Sequence, residues 1–181
     1  VLFPDGGVYH AATTEAMPRL LTAVALIAPG VAILAAVLAG IETTAGDLPP
    51  AAQLLGGGLS FGTATSVPTA LALALARLPA SALLRTAAIL ALLSLVGYLA
   101  GVAAGVFVRG SVLKRTAAWS PIVAWLVVGA VRFPAINPFS VLSSVVEPRA
   151  TAAISVVPLL VFQGFVASLL FAALQWRRRR G

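Results

Sequence analysis

The sequence predicts an all-α integral membrane protein, folded as a bundle of about five transmembrane helices. Of its 181 residues, 60% are hydrophobic and only 9% are charged, and the mean hydropathy is +1.05. Soluble domains carry about 25% charged residues, and so few charges could not cover this much apolar surface in water. Lipid tails solvate apolar side chains, so the composition favours a membrane protein.

Five apolar segments define the predicted helices. About 20 residues cross the roughly 30 Å hydrocarbon core at a rise of about 1.5 Å per residue. The predicted spans are residues 20–41, 51–76, 83–108, 116–131 and 150–176. Residues 1–18 form a predicted polar N-terminal tail, 132–149 a polar connection, and 177–181 a basic C-terminal tail. We expect residues 19–176 to fold as a single bundle.

The second apolar segment is compatible with more than one type of membrane helix. Three glycines at residues 56–58 begin a stretch that contains four Ser or Thr residues and ends at Pro68. Membrane helices tolerate Gly and Pro, so the segment is either a full span or a broken or re-entrant one. A broken helix needs neighbours that satisfy its freed backbone groups. We predict a break or strong bend between Gly56 and Pro68, with the polar side facing the bundle interior.

A glycine stripe in the third span predicts close helix packing. Gly97, Gly101 and Gly105 recur every four residues, and Ser94 lies one turn earlier. This spacing, typical of a glycine zipper, places small residues on one line of the helix and lets two backbones approach closely. The partner is either another helix of the same bundle, a second copy of the chain, or a helix of a different subunit.

Charge sets the predicted topology. Four basic residues follow the last span: Arg177, Arg178, Arg179 and Arg180. Basic residues beside spans favour the cytoplasmic side and anionic lipid headgroups, so we predict a cytoplasmic C-terminus. Eleven Arg against one Lys, together with abundant Ala, are typical of a GC-rich prokaryotic genome. We therefore expect a multi-pass protein of the cell membrane.

Residues that support chemistry are scarce in this sequence. All five acidic residues lie in predicted loops or tails, His10 is the single histidine, and there is no cysteine. No phosphate-binding loop or nucleophile elbow is present. The sequence therefore predicts no catalytic residue, no metal ligand set and no cofactor site. No basic face with interleaved aromatics indicates nucleic-acid binding.

Three functions remain as hypotheses. The first is a non-enzymatic subunit or accessory component of a membrane complex, whose partners are the lipid bilayer and a membrane protein or a second copy of the chain. The alternative is a permease or transporter component, because broken helices hold substrate sites in transporters. An intramembrane enzyme is the second alternative and lacks a catalytic constellation. The candidate pathway residues are Ser60, Thr63, Thr65, Ser66 and Gln163.

Overall fold

The computed structural model describes residues 7–43, 48–75, 78–146 and 154–180, and these residues form helices without any strand. A short 3-10 helix, Pro134–Ile136, precedes the fifth α-helix. The six α-helices are α1 (Gly7–Thr43), α2 (Ala51–Leu75), α3 (Ala80–Phe107), α4 (Ser111–Val131), α5 (Pro138–Val146) and α6 (Val157–Arg180).

Three described stretches are long and apolar enough to cross a membrane, judged by length and composition. They are Leu26–Thr43 in α1, Ala80–Phe107, which is all of α3, and Val157–Arg180, which is all of α6. The sequence predicted five spans, and α2 and α4 are outside this set. Glycines, hydroxyls and a proline lower the hydropathy of α2, and α4 carries Lys114 and Arg115 in its first turns. The three apolar helices indicate a membrane-embedded protein.

Helix α3 is the centre of the bundle. In the 18-residue apolar stretch of each helix, 78% of the residues are buried in α3, against 33% in α1 and 22% in α6. It contacts α1, α2, α4, α5 and α6, and its most extensive contacts are with α1 and α2. Small side chains along α3 allow several helices to surround it closely, so the other helices form a shell around this one core element.

Helices α1 and α6 run parallel to α3, whereas α2 and α4 run antiparallel. On α6, Leu159 packs in one cluster with Ile89, and Leu174 packs in another with Val102. The C-terminal ends of α1, α3 and α6 therefore lie at the same end of the bundle. We call this the basic end, because seven basic residues follow α3 or complete α6 there: Arg109, Lys114, Arg115, Arg177, Arg178, Arg179 and Arg180.

Of the break or strong bend predicted in the second segment, the break is wrong and the bend stays a prediction. Helix α2 is continuous from Ala51 to Leu75 and contains Pro68. The hydroxyls do not interrupt it, because they donate to carbonyls of the same helix: Ser60 Oγ to Gly57 O at 2.7 Å and Ser66 Oγ to Gly62 O at 2.6 Å. Such bonds satisfy the hydroxyl without opening the helical ladder.

Two helix bounds also differ from the predicted spans. Helix α1 begins at Gly7 and therefore includes most of the predicted polar tail, 1–18. Helix α6 begins at Val157 and continues through the four arginines that were predicted as a tail. Its extension is physically reasonable, because cations in the last turn interact favourably with the helix dipole. Residues 150–153 of the predicted fifth span and Gly181 lie outside the described residues.

The chain folds back into the bundle after α4, where the sequence predicted only a polar connection. The Trp125 indole donates to Ile136 O at 2.9 Å, and Asn137 Nδ2 donates to Leu126 O at 2.8 Å. Residues 136 and 137 thus lie beside α4 about 8 Å before its end, at about 1.5 Å per residue. Helix α5 then buries Val141, Leu142 and Val146 in a core cluster shared with α1, α2, α3 and α6.

Candidate functional site

The closest helix contact in the described structure lies between α1 and α3 and contains two members of the predicted glycine stripe. A Cβ on Gly101 would overlap the Val37 carbonyl oxygen and lie 3.0 Å from Ile41 N. A Cβ on Gly97 would lie 3.2 Å from Ile33 Cγ1 and 3.3 Å from Ile33 O. The glycines therefore permit near-contact of the two backbones, which is the packing that this spacing favours in membranes.

The other two members of the stripe are also buried. Gly105 lies within the buried part of α3, and the Ser94 side chain is fully buried. The Ser94 hydroxyl has no hydrogen-bond partner among the described residues. The same is true of the hydroxyl of Thr86, two turns earlier on α3. These two hydroxyls carry a desolvation cost that the described contacts do not offset.

Helix α2 brings glycines of its own to a neighbouring side of α3. A Cβ on Gly57 would lie 2.7 Å from the Tyr98 ring, and one on Gly62 would lie 2.6 Å from Ala91 Cα. The Tyr98 ring also stacks on Phe61 with centroids 6.3 Å apart. The glycines of the second segment therefore allow α2 to pack closely against α3.

The predicted pathway hydroxyls of α2 do not converge on the bundle interior. Ser60 and Thr63 are exposed on the outer surface, and Thr65 and Ser66 are half-buried. Each hydroxyl bonds to a carbonyl of its own helix, for example Thr63 Oγ1 to Ser60 O at 2.9 Å. The prediction that the polar side of α2 faces inward is wrong for Ser60 and Thr63, because glycines occupy the side of α2 that packs on α3.

Gln163, the remaining pathway candidate, lies in a different part of the molecule. Its side chain is fully buried on α6, between Leu159 and Ala167 on the face that packs toward α3. Neither the amide oxygen nor the amide nitrogen has a partner within the described residues. The structure does not bring this amide together with the α2 hydroxyls, since α2 and α6 pack on different sides of α3.

Two recesses lie between the helices. A groove of about 400 Å³ between α1 and α2 is lined mainly by apolar side chains, with Thr65 and Thr69 as its hydroxyls. A cavity of about 240 Å³ between α3, α4 and α6 is lined by apolar residues, including Trp125 and Phe162, whose rings are 5.3 Å apart. Both are suited to acyl chains or apolar side chains, since neither offers a charged group.

The segment that folds back after α4, residues 133–146, holds a connected polar network, and we call it the fold-back segment. Asn137 is 2% exposed. Its Oδ1 accepts from Phe139 N at 2.9 Å and Ser140 N at 3.1 Å, which caps α5. An asparagine followed by a proline is a helix-start signal, so Asn137-Pro138 was the available clue. Gly129 permits the approach, because a Cβ there would lie 3.2 Å from Asn137 Cβ.

The basic end presents its cations to the surroundings. The four arginines at the end of α6 are exposed, and the guanidinium of Arg180 lies 4.1 Å from the centre of the Trp176 ring. This cation–π contact holds the Arg180 guanidinium over the Trp176 ring. An indole beside exposed arginines is the arrangement that membrane interfaces favour.

The described residues contain no cluster of three or more His, Cys, Asp or Glu side chains that could hold a metal ion. Among the described side chains, no acidic or basic group is buried. The buried polar residues are Thr69, Thr86, Ser94, Asn137, Ser144 and Gln163. The described interior therefore offers hydroxyls and amides, which cannot serve as acid–base pairs near neutral pH.

Comparisons of the chain with protein-family models, with curated proteins and with solved structures give no match.

Proposed function

We propose that the protein is a multi-pass membrane protein that acts as a non-enzymatic subunit or accessory component of a membrane complex. The observation that carries the proposal is the uncharged interior: the described buried polar groups are hydroxyls and amides, without an acid or base. Enzymes and ion-coupled carriers in membranes place ionisable groups inside the bundle, because protons and ions require them. A helix-packed unit without such groups fits an assembly role.

The helix directions give this proposal a topology. If α1 to α4 and α6 each cross the bilayer, the chain has five spans, and α5 with its 3-10 turn enters from one side without crossing. The seven basic residues of the basic end then face the cytoplasm of the cell, with the C-terminus on that side. The buried fold-back segment fits this arrangement, because irregular backbone at membrane depth requires protein partners.

The exposed apolar residues of α1 and α6 provide the surface for a partner. Leu34 on α1 is 49% exposed and Val161 on α6 is 66% exposed. Lipid tails can solvate these apolar side chains. A second subunit can also pack on them, because no hydrogen bond of this chain has to be broken. Either a different membrane protein or a second copy of the chain fits this surface.

The test is purification of the full chain from its own membrane in a mild detergent, with a photo-reactive amino acid at Leu34 or at Val161. We expect a cross-linked partner in equimolar amount from one of the two positions and a weak, heterogeneous product from the other. A monodisperse monomer without a cross-linked partner from either position would contradict an assembly role.

A transporter component is the second candidate, and one observation favours it. The groove between α1 and α2 brings Thr65 and Thr69 to an otherwise apolar recess. Thr65 Oγ1 donates to Phe61 O at 2.9 Å and Thr69 Oγ1 to Thr65 O at 2.8 Å, so both hydroxyls retain only acceptor capacity toward a substrate. An equimolar ATPase in the same purification would favour this function over a purely structural one.

A further inference from the structure

The outer face of α4 near the basic end combines polar and apolar groups along one line. Arg115, Thr116 and Ser120 are exposed, and Trp119 is half-buried. Together with Val123 they line a surface groove of about 420 Å³. The groove therefore offers a guanidinium, two hydroxyls and an indole at a single place on one helix.

An apolar stripe continues this line away from the basic end. Val123 is 51% exposed and Val127 is 57% exposed. Arg115, Trp119, Val123 and Val127 are four residues apart, so they follow one ridge that winds gradually around the helix. From Arg115 to Val127 the helix rises about 18 Å, which is similar to half of the roughly 30 Å hydrocarbon core. A polar group and an apolar stripe of one-leaflet length thus share one face.

We propose that this face of α4 binds one anionic phospholipid, with its phosphate on Arg115 and one acyl chain along Val123 and Val127. The inference depends on the proposed membrane embedding. A guanidinium matches a phosphate through paired hydrogen bonds, and the cations of the basic end attract anionic headgroups. A free phosphate ion would use the arginine but not the valine stripe, so the occupant is a lipid.

The hydroxyls define the headgroup further. Thr116 Oγ1 already donates to Val112 O at 3.1 Å, so it can only accept from a ligand. The Ser120 hydroxyl makes no hydrogen bond to the part of the chain that the structure describes, and it can donate to a phosphate oxygen. A phosphodiester that also carries headgroup hydroxyls uses both residues, since it supplies acceptors for Ser120 and a donor for Thr116. Phosphatidylglycerol has these groups and phosphatidylcholine lacks the donor.

The test uses the full chain in detergent, titrated with phosphatidylglycerol and monitored by native mass spectrometry. Arg115→Gln should weaken the first binding step about tenfold, the loss expected for one charge-assisted contact. Arg109→Gln is the matched control, because Arg109 is exposed at the same end but lies outside the groove. We expect it to change the affinity less than twofold. Ser120→Ala supplies a second variant with a minimal effect on folding.

A phosphatidylglycerol with a photo-reactive group on its acyl chain locates the lipid. We expect cross-links at Val123 and Val127, suppressed by unlabelled phosphatidylglycerol but not by phosphatidylcholine. Equal losses from Arg115→Gln and Arg109→Gln, or equal cross-linking to Phe165 on α6, would overturn the proposal. Displacement of the lipid by glycerol phosphate at similar concentrations would overturn it as well. Extraction of cell membranes at alkaline pH tests the embedding separately: a chain released into the soluble fraction contradicts the proposed function itself.

Discussion

Gly40 of α1 and Gly101 of α3 each occupy the space that a side chain on the other would need. A Cβ on Gly40 would lie 3.1 Å from Gly101 Cα, and a Cβ on Gly101 would lie 3.1 Å from Gly40 Cα. The atoms in conflict are backbone atoms, so no rotation of a side chain can relieve the overlap. The two parallel helices can approach this closely only with glycine at both positions.

Gly101→Ala should therefore destabilise the folded protein by about 1–3 kcal/mol, the usual cost of overpacking. The better helix propensity of alanine offsets part of this cost, by up to about 1 kcal/mol. Gly164→Ala on α6 is the matched control, because a Cβ there meets nothing within 4 Å. We expect the control to be neutral or slightly stabilising. Unfolding of both variants in mixed micelles measures the difference, and equal midpoints would contradict the close contact.

The stripe on α3 was predictable, whereas the partner of the stripe was not. The spacing of Gly97, Gly101 and Gly105 is visible in the sequence because small residues at intervals of four mark one line of a helix. Gly40 and Gly30 lie in the same long apolar segment, yet of the two only Gly40 faces α3, while a Cβ on Gly30 would meet nothing within 4 Å. Which glycine is used depends on helix register, and this follows from packing over the whole helix length.

Asn137→Ala should destabilise the protein by about 1–3 kcal/mol, since it removes the cap of α5 and the bond to Leu126 O together. Asn137→Ser is the control that retains only the cap. Serine is also a good cap residue, but its side chain is too short to donate to Leu126 O on α4. We expect the serine variant to lose less than the alanine variant. Thermal unfolding in detergent gives the order, and an alanine variant as stable as the native protein would show that the fold-back segment does not depend on this side chain.

The fold-back segment also shows where sequence interpretation failed and why. Residues 132–149 carry charged residues, prolines and an asparagine, which are the usual composition of an exposed connection. In the structure, the Asn137 side chain and the Trp125 indole satisfy backbone groups of residues 136–140, so this part of the connection can pack inside the bundle. Such pairing joins Trp125 to Ile136 and Asn137 to Leu126, residues 11 apart in the sequence. No local sequence pattern predicts this pairing.

Gln163→Met should stabilise the protein by about 1–3 kcal/mol. The reason is that both amide atoms are buried without a partner in the described structure, and an unsatisfied buried polar group costs about this much. Methionine is similar in length and flexible, so it fills the same space. Gln163→Glu serves as the opposite control and should destabilise, because it places an acid in the same site. A methionine variant that unfolds more easily than the native protein would reveal a partner for the amide.

The helix directions predict which loops share a side of the membrane. Single cysteines at Glu42 and Ser111 should be labelled by an impermeant thiol reagent from the same side as a C-terminal tag, because α1, α3 and α6 all end there. Cysteines at Ala80 and Phe133 should be labelled from the opposite side. The chain contains no cysteine of its own, so each label reports a single position. Labelling of both Ala80→Cys and Ser111→Cys from the same side of the membrane would contradict a spanning α3.

The same approach decides whether the hydroxyls of α2 line a hydrated path. Ser60 and Thr63 lie on the outer surface of a continuous helix and bond to its own carbonyls. In a bilayer this surface faces lipid or a partner helix, so neither position should be reached by an impermeant reagent. Thr65, which lines the groove beside α1, and Ser66 are both half-buried and should also be protected. We expect no labelling of any of the four single-cysteine variants in intact membranes, and full labelling after denaturation.

Glu42→Cys is the positive control for these experiments, since Glu42 is exposed at the end of α1. A thiol needs contact with water to ionise and react, so protection of the four α2 positions beside a reactive Glu42→Cys would indicate a dry environment. A transporter requires the reverse, because a polar substrate crosses the bilayer only along groups that water or the substrate can reach. Labelling at Thr65 in the native membrane, blocked by a small polar solute, would therefore favour transport through the α1–α2 groove over an assembly role.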